Sequence, residues 1–146
     1  MPTPLLRSVI GANIVVTAAN AVANNAYANA TDKLTINNTG SALLADFRLT
    51  SATFGVAPTA GVLQLFAVDR DFAGNAGPTP SATMPGRFVG SFNPYPAASN
   101  AATSWIMSLN SVALSAYSDF WLMNNGTAVS LNSGWVLTAQ LWSPGT

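Results

Sequence analysis

The sequence predicts an all-β domain, an antiparallel β-sandwich of jelly-roll type with an extended N-terminal arm. Three observations predict it. Short apolar or alternating runs recur along the 146 residues. Clusters of Gly, Pro and Asn separate these runs, as turns require. No segment shows a convincing amphipathic-helix period over about ten or more residues. A chain of this length fits one domain and can bury a substantial core.

Residues 1–30 read as the N-terminal arm and first strand, and residues 31–146 as the sandwich. The β-branched run Ile14, Val15, Val16 and Thr17 is strand-like. In the Ala/Asn tract that follows to Ala30, alanine favours helix, but Asn20, Asn24, Asn25 and Asn29 oppose it, so the tract is expected to be extended. Residues 33–37 alternate and end on the turn signal Asn37, Asn38, Thr39, Gly40. Residues 44–54 place Phe47 and Leu49 on one face, with Arg48 and Thr50 on the other. Residues 62–68 are apolar on both faces apart from Gln64, as in a central strand. An irregular Pro- and Gly-containing stretch, residues 69–85, precedes a strand at 87–92. Trp105, Met107 and Leu109 are in phase, residues 120–123 run into an Asn-Gly turn, and residues 135–142 form the last strand.

Composition narrows the function. Charged residues are 7% of the chain, five basic against five acidic, with zero net charge. An ordinary domain carries about 25%. Arg7, Lys33, Arg48, Arg70 and Arg87 form no basic cluster, so the phosphate-neutralising footprint of a nucleic-acid binder is missing. Disorder is equally ill suited to a chain that is 49% apolar, with four tryptophans and seven phenylalanines. So neutral and apolar a chain is expected to have much of its surface covered by partners. No run approaches the ~20 apolar residues needed to cross a bilayer. The first residues do not read as a secretory signal, so synthesis in the cytoplasm is expected and the Asn-x-Thr triplets at Asn29, Asn37 and Asn125 read as chance matches.

Chemistry is sparse. Without Cys or His there is neither a thiolate site nor a Ser-His-Asp relay. Asp69, Arg70, Asp71, Gly74 and Asn75 invite a calcium reading, but the third acidic position and closing Glu are missing; aspartates bonding their own turn fit better. Asp32 and Asp46 read as solvent-face strand positions, and no acid–base dyad is evident. The expectation is a non-enzyme with no cofactor and no metal. Trp105 and Trp135 read as core. Trp121 and Trp142 fall out of phase with their apolar neighbours and, with Tyr95, read as outward anchors of a protein interface; a sugar-stacking platform is the alternative.

Residues 57–68 (Ala-Pro-Thr-Ala-Gly followed by the strand Val-Leu-Gln-Leu-Phe-Ala-Val) resemble a group of small tailed-phage virion proteins, in which such a turn leads into a strand and then an Asp/Gly/Asn loop. The similar order continues through residues 87–92 and 120–128, and the resemblance spans roughly residues 42–142. The family's closing strand is usually more basic than residues 135–142 here. The resemblance implies a phage head or tail structural protein, with a capsid decoration (cement) protein suiting the size best. It would bind the major capsid protein on the virion surface as a homotrimer. A tail or fibre module binding a receptor or carbohydrate is the alternative. Leu5, Leu6, Val9 and Ile10 are expected to lie on a neighbouring subunit.

Overall fold

The computed structural model describes residues 7–38, 42–51, 53–71, 73–94 and 106–145. The strands are β1 (Arg7–Val9), β2 (Ile14–Thr17), β3 (Ala26–Tyr27), β4 (Leu34–Asn37), β5 (Leu44–Thr50), β6 (Val62–Asp69), β7 (Arg87–Phe92), β8 (Ile106–Ala113), β9 (Tyr117–Asn125) and β10 (Val136–Pro144). A single 3-10 turn, Ala30–Asp32, joins β3 to β4, and the described residues contain no α-helix.

Two antiparallel sheets pack face to face as a β-sandwich. In the first sheet, β10 lies between β5 on one side and β1 with β2 on the other, and β8 follows β5. In the second, β9 lies between β6 and the pair β3 and β4, and β7 follows β6. Because β1 and β2 share one edge of β10, and β3 and β4 share one edge of β9, the ten segments fill eight strand positions. Edge strands β7 and β8 sit side by side across the sandwich, as do β2 and β4.

The core follows from the two-residue period of a strand. From the first sheet come Ala45, Phe47 and Leu49 of β5 and Leu137, Ala139 and Leu141 of β10, joined by Met107 and Leu109 of β8. Leu63, Leu65 and Ala67 of β6 meet them, with Phe120 and Leu122 of β9. The Phe47 and Phe120 rings touch across the gap, with centroids 4.6 Å apart. Trp135 closes one end fully buried, as its apolar phase predicts. Residues 62–68 do form a central strand, β6, flanked by β9 and β7.

The N-terminal segment is extended but integrated in the sandwich from residue 7 onward. Ile10 donates its N–H to the Leu141 carbonyl at 2.8 Å and packs on this chain's own core. The reason is register: Val9 pairs with Trp142, which carries the chain directly along the open edge of β10. Val9 itself is 49% exposed. Leu5, Leu6, Tyr95 and Trp105 lie outside the described residues.

The Ala/Asn tract is non-helical because its asparagines bond to backbone elsewhere. Asn25 Oδ1 accepts from Gly126 N–H at 3.0 Å, and Asn24 Oδ1 accepts from Ala128 N–H at 3.1 Å. From the other side, buried Asn124 donates to the carbonyls of Val22 and Val129 at 3.1 and 2.8 Å. These bonds tie the tract to the turn that leaves β9.

Gly61 lies against that same turn. Its φ is +71°, and a Cβ there would sit 2.2 Å from the Gly126 carbonyl carbon. Gly61→Ala is therefore expected to destabilise the fold by more than about 1 kcal/mol, through both strained φ and backbone collision. Gly55→Ala, with nothing within 4 Å and no positive φ, serves as the near-neutral control. Chemical denaturation of the two variants checks this; equal midpoints would refute it.

Candidate functional site

Side chains out of phase with the core form the two outer faces, and these differ in character. On the second sheet, Trp121 pairs with Phe66 across β9 and β6, and Phe66 pairs in turn with Phe88 of β7. Phe66 meets Tyr27 and Phe88 edge-on, at centroid separations of 5.5 and 5.7 Å. Asp119, two residues before Trp121 on the same face of β9 and 1% exposed, pairs ionically with Lys33 at 3.0 Å and Arg70 at 3.5 Å and accepts from the Thr35 hydroxyl at 2.6 Å. Lys33 also lies 5.4 Å from the Trp121 ring centroid, a cation–π contact.

Trp121 thus leaves the inter-sheet core, as its phase requires, but it is only 2% exposed and cannot serve as an outward anchor. The sequence signal reads the face of a strand. It cannot show that Lys33 and the neighbouring aromatics close over that face.

The first sheet's outer face is polar. Trp142 is only partly exposed there: the Arg7 guanidinium lies 4.8 Å from its ring centroid, and its indole donates to Asp46 at 3.0 Å. Arg7 also bonds Asp46 and Gln140. Ser111, in the left-handed region at φ 58°, donates its N–H to Asp46 at 2.9 Å. Burial of Asp46 favours its protonated form. The bonds from Ser111, Trp142 and Arg7, with the charge of Arg7, outweigh burial and hold the carboxyl below its usual range.

Beside this network runs a surface groove of about 450 Å³, lined in part by the exposed Arg48. Cross-strand register sets Arg48 between Thr138 of β10 and Ser108 of β8. Gln140, Asn13 and Asn110 also line the groove. A second, shallower concavity of about 370 Å³ is lined by Pro78, Pro80, Met84 and Pro85 with Arg87 at its edge. The strand period places Arg48 on the face opposite Phe47 and Leu49 but does not reveal the groove, whose lining is drawn from Arg7 to Gln140; the second concavity is local, formed within residues 67–87.

The aspartates mostly serve the fold. Asp32 is not on a solvent face: it is 2% exposed and accepts from the Ala19 and Asn20 N–H groups at 3.1 and 3.0 Å. It is buried because the 3-10 turn carries it back over the start of the Ala/Asn tract. Asp71 accepts from the Ala73 and Asn75 N–H groups and from the Asn75 amide, at 3.0, 2.8 and 2.8 Å. Those bonds, led by Asn75, hold its pKa below the usual value, as expected of a turn aspartate. Asp69 accepts from the hydroxyls of Ser115 and Ser118, both at 2.9 Å. No group of three acidic or other metal-ligating side chains is present among the described residues.

No protein-family model matches the chain, and no match is found among characterised proteins or among solved structures.

Two outcomes follow from the aspartates. Removing the charge of buried Asp119 leaves Lys33 and Arg70 facing each other without their counter-ion, so Asp119→Asn should cost about 3 kcal/mol by denaturant titration. Asp46 has a folded-state pKa below its unfolded value. Its contribution to stability is present above about pH 4 and is lost as the pH falls through the lower folded value. Asp46→Asn should therefore flatten the acid limb of a melting-temperature profile, and an unchanged limb would refute the assignment.

Proposed function

We propose that this chain is a non-enzymatic structural protein of a phage virion, a capsid decoration or cement protein that bridges subunits of the major capsid protein, and that its sandwich is a jelly roll. The carrying observation is the combination of internal charge pairing with exposed apolar side chains. All ten charged residues are described, and only Arg48 and Arg87 lack an internal hydrogen bond or ion pair. Meanwhile Val9, Leu43, Val56, Met84, Phe88 and Ile106 are 49% to 67% exposed. Such a surface suits association through many small apolar contacts.

The strand order supports the jelly-roll reading. Eight strand positions divide four and four, and every connection between positions crosses from one sheet to the other except β6 to β7. Jelly rolls recur in viral capsid and lectin domains, an analogy at the level of fold. Edge strand β8 carries no charged residue over its eight positions and pairs only with β5 among the described residues. It offers an unguarded edge for closure of a trimer on the shell.

The test uses particles lacking the protein and purified protein added back. Retention is expected to persist from about 0.1 to 1 M salt, over which the Debye length falls from about 10 to 3 Å. Added protein should also raise particle resistance to heat. Bare particles that withstand heat as well as decorated ones, or a reconstruction placing the protein at the tail tip, would overturn the proposal.

A further inference from the structure

The groove on the outer face of the first sheet has a property that shell binding through apolar contacts leaves unused. Every aspartate side chain is engaged internally: Asp46 and Asp119 with cations, Asp32 and Asp71 with backbone N–H groups, and Asp69 with serine hydroxyls. Arg48 and Arg87 are the charged side chains left without such a partner. Arg87 borders a concavity that also holds Asp69 and is otherwise lined by apolar residues and Gly86. Arg48 instead lies in a polar groove, flanked by the hydroxyl residues Thr138 and Ser108 at cross-strand separations of about 4.5–5.5 Å.

We infer that this groove binds an acidic saccharide, with the sugar carboxylate on Arg48. A guanidinium presents a planar fork of donors that matches a carboxylate with two parallel bonds. Thr138 and Ser108 provide hydroxyls on either side to complete the recognition of the anion. Gln140 is held between Arg7 and Asn13, accepting from the first and donating to the second, so the Asn13 amide N–H groups and the Asn110 amide are the neutral groups that complement sugar hydroxyls. Arg7 and Asp46 neutralise each other at one end, leaving the groove with one net positive charge. A peptide partner fits less well. Protein interfaces are anchored by buried aromatic or large apolar side chains, whereas Val15 is the exposed large apolar side chain of this lining. Stacking on Trp142 has no part in the binding, because Arg7 already covers that ring.

The probe is tetragalacturonate, with its fully methyl-esterified form as the uncharged counterpart and a tetraglutamate peptide as the acidic non-sugar. Binding is followed by calorimetry on the free, full-length protein, and by amide chemical shifts of β5, β8 and β10. The acid is expected to bind and to perturb these strands, with affinity falling as salt rises. Esterification and Arg48→Gln should each weaken binding about tenfold or more, as loss of a charged hydrogen bond does. Thr138→Val together with Ser108→Ala should weaken it further, while the melting temperature of Arg48→Gln stays near that of the parent. Equal binding of acid and ester, unchanged binding by Arg48→Gln, or tighter binding of tetraglutamate would each overturn the proposal. Because the measurement needs no particle, its result is separate from that of the shell-retention experiment.

Discussion

Face-to-face burial of alternate side chains from β5, β6, β9 and β10 is the constraint on which the rest of the molecule depends. Phe47 against Phe120 marks its centre, and Leu49, Leu65, Leu122 and Leu137 are fully buried around them. Once those residues are committed inward, the pleat sends their neighbours to the outer faces. On the second sheet those neighbours include Trp121 and Phe66, which are too apolar to leave in water. Tyr27 meets Phe66 edge-on, and the Lys33 ammonium lies over Trp121 while its charge is paired with Asp119. On the first sheet the neighbours are Asp46, Arg48, Thr138 and Gln140, so this face stays open and polar. The asymmetry between the two faces is a direct result of which residues alternate with the core.

Scarcity of charge shapes the remaining interactions. A chain with few ions must satisfy its irregular backbone by other means, and here asparagine does so. Asn24, Asn25 and Asn124 bond backbone groups between the Ala/Asn tract and the β9 turn, while Asn29 accepts from the Thr31 N–H at 3.1 Å to open the 3-10 turn. Asp32 repeats the device from within the turn. These side chains hold loops that a short hydrophobic strand cannot, and the asparagines among them do so without adding charge. The compositional richness in Asn is therefore a property of the fold's connections.

The proposed roles draw on different parts of this architecture. Apolar side chains exposed at scattered positions contribute contact area whose strength is independent of ionic screening. The Arg48 groove contributes a single directed charge set among neutral hydrogen-bonding groups. The first suits permanent assembly and the second suits recognition of a ligand by its chemistry.

How much of this was legible in the chain divides along physical lines. The all-β class, the central position of residues 62–68, the inward faces of Phe47, Leu49 and Trp135, and the turn role of Asp71 are legible in the chain, because each is written in local period or turn chemistry. The chain also shows that Trp121 and Trp142 depart from the core phase. Tertiary structure decided what that departure meant. Trp121 is sealed by Lys33 and Asp119's neighbourhood, Trp142 is capped by Arg7, and Asp32 is drawn inward by N–H groups some thirteen residues away. It also decided that residues 7–10 lie on their own sheet, and that Arg48, Thr138 and Ser108 stand in one row. Strand alternation specifies a face, but which strands become neighbours is settled only by the long-range pairing of β10 with β5 and β5 with β8.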